Sequence, residues 1–284
     1  MHGSHFPSRD CSPGPRASVR MPKLTSSCMR GERVVAEECP VALVYDGTTV
    51  AVLMATPADL TDLALGFSLT EGIIQDIGEI EELTVVPGPH GIELRIWLRP
   101  KAGRRLKERQ RQLVGPTGCG LCGIESLREA RRIVRPVVRQ IRLRPGEIGA
   151  AVDTMAASQA LNQQTRATHA AGFFVPGGSN MTVREDVGRH NALDKLAGAL
   201  AMEGTPGRTG AIILTSRVSV ELAQKTAAIG AGFIVAISAP TALAIRTADA
   251  SGITLIGIAR GGEFEVFSHP IGLVFDDEPN PMPP

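Results

Sequence analysis

From Ala211 to Ala259 short runs of aliphatic and β-branched residues take turns with segments of helical period. Ala211–Thr215, Phe233–Ser238 and Thr254–Ala259 read as strands, and Val218–Ile229 and Thr241–Ala250 as helices. Upstream, Asp153–Arg166 reads as a helix, Gly172–Val175 as a strand and Asn191–Met202 as a helix. Strands joined through helices need crossovers, so the expected architecture is α/β, a mixed sheet covered by helices on both faces. Ligands of such sheets bind beyond the carboxyl ends of the strands. Three loops belong there: Thr215-Ser216-Arg217, Ser238-Ala239-Pro240 and Arg260-Gly261-Gly262.

The first half carries a smaller pattern. Val41–Tyr45 and Thr49–Met54 flank Asp46-Gly47, a hairpin signal. Pro57 to Ile74 has helical spacing, with Thr56 as N-cap and Pro57 at the first position. Leu83–Val86 and Ile92–Leu98 read as two more strands, and the basic run Lys101–Arg111 then leads on as a linker. The organisation expected is a disordered segment over 1–30, a small N-terminal α/β lobe over 31–112, an α/β core domain over 113–275 and a disordered tail over 276–284.

Net charge is +1 across 284 residues, which gives no global field for nucleic acid or membrane. Aromatic content of 4% argues against a base-stacking surface. Charge is nevertheless segregated. Arg99 to Arg144 holds fourteen Arg or Lys against three acids, either solvated helix faces or a basic collar for an anionic partner. The uncharged stretch Ile229 to Ile245 suits a strand followed by a helix better than a membrane span. Five cysteines, only two at motif spacing, do not make a disulfide framework and point to a reducing compartment. No secretory apolar core lies within Met1–Lys23, so a cytoplasmic location is expected.

The two spaced cysteines sit in Gly118-Cys119-Gly120-Leu121-Cys122-Gly123. Glycine lets this backbone turn sharply and leaves sulfur accessible. A helix expected over Ile124–Val134, with Arg128, Arg131 and Arg132, favours the thiolate through its dipole and charge. Four readings compete. A zinc site lacks the usual second ligand pair. Zinc deaminase chemistry needs a Glu two residues after a His or Cys, and Thr168-His169-Ala170-Ala171 has none. A dithiol oxidoreductase and a persulfide-based sulfur relay both stay open.

Glu185-Asp186-Val187-Gly188-Arg189-His190-Asn191 packs two acids, an Arg, a His and an Asn into seven residues, with Asp194 and Lys195 one turn on. It reads equally as a helix start and as a phosphate or base-edge recognition loop. Thr215-Ser216-Arg217, between strand and helix, suits an anion, although no P-loop lysine follows.

These segments resemble, in order, the FdhD/NarQ family of formate dehydrogenase accessory sulfurtransferases. The resemblance runs over roughly residues 32 to 272 and is carried by Glu38-Cys39-Pro40, Thr56-Pro57, Leu63-Ala64-Leu65-Gly66-Phe67, Glu71-Gly72-Ile73-Ile74, Gly118–Gly123, Thr168-His169-Ala170-Ala171, Glu185 to Lys195, Thr215-Ser216-Arg217, Ser238-Ala239-Pro240 and Gly257–Pro270. It implies a cytoplasmic sulfurtransferase that takes sulfur from a cysteine desulfurase. The sulfur goes to the molybdenum cofactor, a bis(molybdopterin guanine dinucleotide) bound as substrate, in service of formate dehydrogenase. It implies a persulfide on Cys119, assisted by Cys122. Cofactor contacts fall on Ile258, Ala259, Arg260, Gly261, Gly262 and Glu263, with Arg217, His169, Arg189 and His190, and a guanine nucleotide is the expected surrogate. A cytidine-deaminase-like core and a homodimer complete what the resemblance implies; no resident metal is expected, because the cysteine pair lacks further zinc ligands. A non-catalytic chaperone of cofactor or dehydrogenase, and a dithiol oxidoreductase, are the alternatives.

Overall fold

Val41, Leu43 and Tyr45 alternate with more exposed neighbours, which turns one face of their strand into a core. The computed structural model describes residues 16–26, 29–113, 136–178 and 181–275. Strands β3 (Cys39–Tyr45) and β4 (Thr48–Ala55) pair antiparallel. Asp46 and Gly47 between them both hold positive φ, as a two-residue hairpin turn demands. β5 (Ile80–Gly88) and β6 (Gly91–Leu98) form a second hairpin, and β6 runs parallel to β3. The sheet order is β4-β3-β6-β5. Its inner face packs against α1 (Leu60–Thr70) and against Ala102 and Leu106 of α2 (Pro100–Leu113).

The larger sheet has six strands: β7 (His169–Phe174), β8 (Met181–Asp186), β9 (Ala211–Leu214), β10 (Phe233–Ala236), β11 (Thr254–Arg260) and β12 (Glu263–Ser268). Their order is β12-β11-β10-β9-β7-β8. β9, β10 and β11 are parallel, while β7, β8 and β12 each run antiparallel to a neighbour. One face, with Phe173, Ile212, Leu214 and Ile234, packs on α5 (Arg189–Glu203), α6 (Val220–Ile229) and α7 (Ala242–Ala250). The other, with Phe174, Ile213, Val235 and Ile256, packs on α3 (Pro145–Ser158). The sheet is thus mixed and covered on both faces. A short α4 (Ala160–Thr165) follows α3.

The two sheets meet where α1 crosses α5. A Cβ at Gly66 would run into the Asp194 carbonyl, and one at Gly198 into the Asp62 carbonyl, so glycine at both positions lets the helix backbones approach. Beside this crossing Lys225, from α6, lies 2.9 Å from Asp194 and 2.8 Å from Glu71.

Several expectations are corrected. Residues 1–30 are not disordered throughout: β1 (Ser18–Leu24) pairs antiparallel with β2 (Arg30–Ala36) in a separate ribbon. Backbone pairing prevails there over a composition rich in Ser, Pro and Arg. Thr56 does not cap α1. That position falls to Asp59 in a left-handed conformation, and the Thr56 hydroxyl is committed elsewhere. The basic run Lys101–Arg111 is helix rather than linker, opened by Pro100 at its first position. Asp153–Arg166 is two helices broken at Gln159. The helix expected over Ile124–Val134 and the tail 276–284 lie outside the described residues. Among the described residues no helix is long and apolar enough to cross a membrane.

Candidate functional site

Strand direction gathers the expected residues along one edge. β8, β9, β10 and β11 all end there, at Asp186, Leu214, Ala236 and Arg260, and β7 begins there with His169 opposite Asp186. Backbone bonds lace the loops together. Thr215 donates its N–H to the Ala170 carbonyl at 3.2 Å, Thr241 to Val218 at 3.0 Å, and Ile258 to Ser238 at 3.3 Å. The loops after β9 and β10 are thus tied to each other and, through Ile258, to the segment of β11 that leads into Arg260-Gly261-Gly262, and together they form the rim of this edge.

At the β11 end, Ile258 and Ala259 stand against the single residue Phe264, a β-bulge. Ile258 holds φ 55°, a left-handed conformation that a β-branched residue adopts only under constraint. Gly261 and Gly262, both at positive φ, make the turn into β12. Ala259 to Phe264 line one side of a cavity of about 50 Å³, and Ile148, Gly149, Val152 and Asp153 of α3 line the other. Of the expected cofactor segment, Ala259, Arg260, Gly261, Gly262 and Glu263 thus face a cavity, and Ile258 shapes the bulge beside it. Arg217 is exposed on the central loop, where Ser216 donates to its carbonyl at 3.1 Å.

At the β8 end the Glu185 to Lys195 motif divides. Lys195, fully buried, lies 2.6 Å from the equally buried Asp186 and donates to the Thr56 carbonyl at 2.9 Å. Asp186 also accepts from Thr56 N–H at 3.0 Å, Gly188 N–H at 2.7 Å and Asn191 Nδ2 at 3.0 Å. Asn191 reaches on to the Met54 carbonyl, and the Thr56 hydroxyl accepts from Val187 N–H. Glu185 takes the Leu161 and Asn162 amides at the start of α4. These residues fasten the small sheet to the large one. The helix-start reading fits them.

Arg189 and His190 are different. Arg189 is half-buried, and its Nε is shielded from solvent without a partner among the described residues. His190 Nε2 is 3.3 Å from Ser219 Oγ and 3.8 Å from Glu221. Burial first, then the Arg189 charge, pushes the His190 imidazole down to about 4, against the pull of Glu221. Burial and Arg189 also lower His169, with Asp186 opposing. Burial raises Glu221, but bonds from Ser219 and its own backbone and the charges of His190 and Arg189 outweigh it and hold the carboxyl low. Sequence reasoning missed Ser219 and Glu221. Their signal was a small hydroxyl followed by an acid at the first turn of α6.

Cys119 and Cys122 lie outside the described residues, as do Cys11 and Cys28. Cys39 is half-buried, and burial, then Glu37, raises its thiol. Among the described residues no group of His, Cys, Asp and Glu could hold a metal ion.

A profile described as the FdhD/NarQ family matches residues 36–273. This chain belongs to the FdhD/NarQ family. The sulfur carrier protein FdhD of Agrobacterium fabrum is 51% identical over 240 residues, 84% of this chain and 88% of that one. The protein of the same name from Cupriavidus necator is 51% identical over 236 residues, 83% and 82% of the two chains. The crystal structure of a candidate formate dehydrogenase accessory protein from Desulfotalea psychrophila superposes with a TM-score of 0.71 at 23% identity. It covers 91% of this chain and 100% of that one, a likeness of fold. The matched FdhD/NarQ span includes the cysteine loop and the whole rim.

Proposed function

We propose that this chain is a cytoplasmic sulfurtransferase that carries sulfur as a persulfide on Cys119 and delivers it to the molybdenum cofactor of a formate dehydrogenase. The observation that carries this reading is the pair Cys119 and Cys122 inside a span where relatives named sulfur carrier proteins are 51% identical. Loading is an exchange between sulfurs. The Cys119 thiolate attacks the terminal sulfur of a cysteine desulfurase persulfide. The new S–S bond forms to Cys119, the old one breaks, and the desulfurase leaves as thiolate. No external oxidant or reductant is consumed. Cys122 assists by its position three residues on.

The cargo, bis(molybdopterin guanine dinucleotide), is a phosphate-bearing substrate. The rim supports its capture with Arg217 and Arg260 on strand-end loops, His169, Arg189 and His190 at the β8 end, and the bulge and turn Ile258 to Glu263 beside the cavity. A homodimer and a cytidine-deaminase-like core belong to the same reading.

The test is sulfur loading. Incubation with a cysteine desulfurase and labelled cysteine should add one sulfur to the peptide containing Cys119, read by mass spectrometry. Cys119→Ala should abolish it; a variant that loads as wild type overturns the carrier role. If a Cys119→Ala, Cys122→Ala double variant restored formate dehydrogenase in a deficient strain, a non-catalytic chaperone would take its place.

A further inference from the structure

We propose that β4 pairs edge to edge with β4 of a second copy of this chain, joining the two small sheets across a twofold axis. The inference names a surface for the homodimer of the proposed function and rests on that part of the reading.

An open strand edge is a row of unpaired N–H and C=O groups that accepts another strand unless charge, proline or a covering element blunts it. Among the described residues β5, β8 and β12 are edge strands, and each is blunted. β5 carries Glu81 and Pro87, β8 carries Arg184 and Glu185, and β12 carries Glu263 and Glu265. Both strands of the β1–β2 ribbon carry arginine. β4 is the exception. Its eight residues include no charge, no proline and no glycine, and β3 is the one described strand paired with it. Val52 and Met54 are 61% and 50% exposed.

The open backbone groups can be located. Met54 stands opposite Pro40, which has no N–H to give. The Met54 carbonyl accepts from Asn191 Nδ2 at 2.8 Å instead, from outside the β3–β4 ladder. Backbone direction repeats every second residue along a strand. Val52, two residues earlier, therefore turns its own N–H and carbonyl toward the same outer edge. The Asn191 contact closes that edge at Met54 and leaves the stretch before it open.

Side chains decide which strand fits. Capture of a foreign strand draws its specificity from pockets for alternate side chains. The inward residues Ala51 and Leu53 are packed on the core of the small sheet and offer none. A second β4 needs no pocket. Two such edges in antiparallel pairing make an isologous contact, each satisfying the open groups of the other. Val50, Val52 and Met54 then meet their counterparts across the seam, and no like charges are opposed.

The experiment uses the full chain and reads the dimer dissociation constant by sedimentation equilibrium. Val52→Pro removes one outward N–H and leaves the pairing with β3 intact; it should raise the constant on the order of tenfold or more. Val52→Lys, which keeps the backbone N–H and sets like charges against each other at the seam, should act in the same direction. Trp97→Ala, on the outer face of β6 away from the edge, should leave the constant unchanged. Hydrogen exchange supplies a second readout. The Val52 amide should be protected in the dimer and lose protection on dilution, whereas the inward Leu53 amide should stay protected throughout. A wild-type constant in Val52→Pro, or a Val52 amide that exchanges freely in the dimer, overturns the β4 surface and leaves the homodimer standing. An equal loss in Trp97→Ala points to stacked outer faces and likewise overturns it. A wild-type chain that is monomeric at every concentration overturns both the surface and the homodimer. Sulfur loading of Cys119, scored on the same preparation, fails or succeeds independently of these readings.

Discussion

Lys195 has no exposed surface, yet it bears a charge, and Asp186 is the group that makes this tolerable. Taking a lysine out of water is costly unless a carboxylate and further acceptors surround it. Here Asp186 supplies the charge, and the carbonyls of Thr56 and Glu185 supply acceptors at 2.9 and 3.4 Å. Lys195→Met should therefore cost about 3–5 kcal/mol, because Asp186 is left as an uncompensated buried charge. Adding Asp186→Asn should recover part of that loss, and denaturant titration of the two single variants and the double variant measures the coupling. Additive losses would mean that the two groups do not act as a pair. The sequence made this motif visible as a dense polar cluster but could not divide its roles. The division depends on Thr56 and Met54, more than 100 residues away along the chain, and nothing local at Lys195 announces that its partner acid closes a neighbouring strand.

At the scale of elements, the crossing of α1 and α5 depends on two side chains that are absent. Gly198 faces the Asp62 backbone and Gly66 faces the Asp194 backbone, so neither position can accept a methyl group unless a helix moves. Helix propensity alone favours alanine over glycine by about 1 kcal/mol at an interior position. Gly198→Ala should nevertheless destabilise the chain, with overpacking of about 1–3 kcal/mol or more outweighing that gain. Thermal melting reads the sign directly, and a raised midpoint would refute the close approach. Periodicity found the elements that are buried on both sides: β9, β10 and β11 are short apolar runs between helical segments. It passed over β8 and β12, whose charged residues break the apolar pattern, although Phe264 and Val266 alternate with Glu263 and Glu265. It also passed over α2, where, among the described side chains, Ala102 and Leu106 turn toward the core from a basic helix.

Across the whole molecule, the candidate rim depends on a sheet whose first helix is clamped to the smaller sheet. Edge position was legible early, because alternating strands and helices put their loops at the carboxyl ends. What the pattern could not show is that the second sheet is joined to the first through buried charge. Lys225 sits among Asp194, Glu71 and Thr70, 5.4 Å from the Phe67 ring centre, and so ties α6 and α5 to the end of α1. Its charge offsets the burial that pushes the Asp194 carboxyl up, and the neighbouring Glu71 adds to that push. Removing the lysine leaves two carboxylates facing each other at the junction. Wild-type unfolding should therefore be one transition, with both sheets lost together. Trp97, the one tryptophan in the chain, lies on β6 and reports the small sheet by fluorescence. His169 and His190 report the large sheet by imidazole NMR. In the wild type the two midpoints should coincide in denaturant. In Lys225→Met the junction should weaken by about 3–5 kcal/mol. The fluorescence and imidazole transitions should then separate, whereas coincident transitions in the variant would show that helix packing alone couples the sheets.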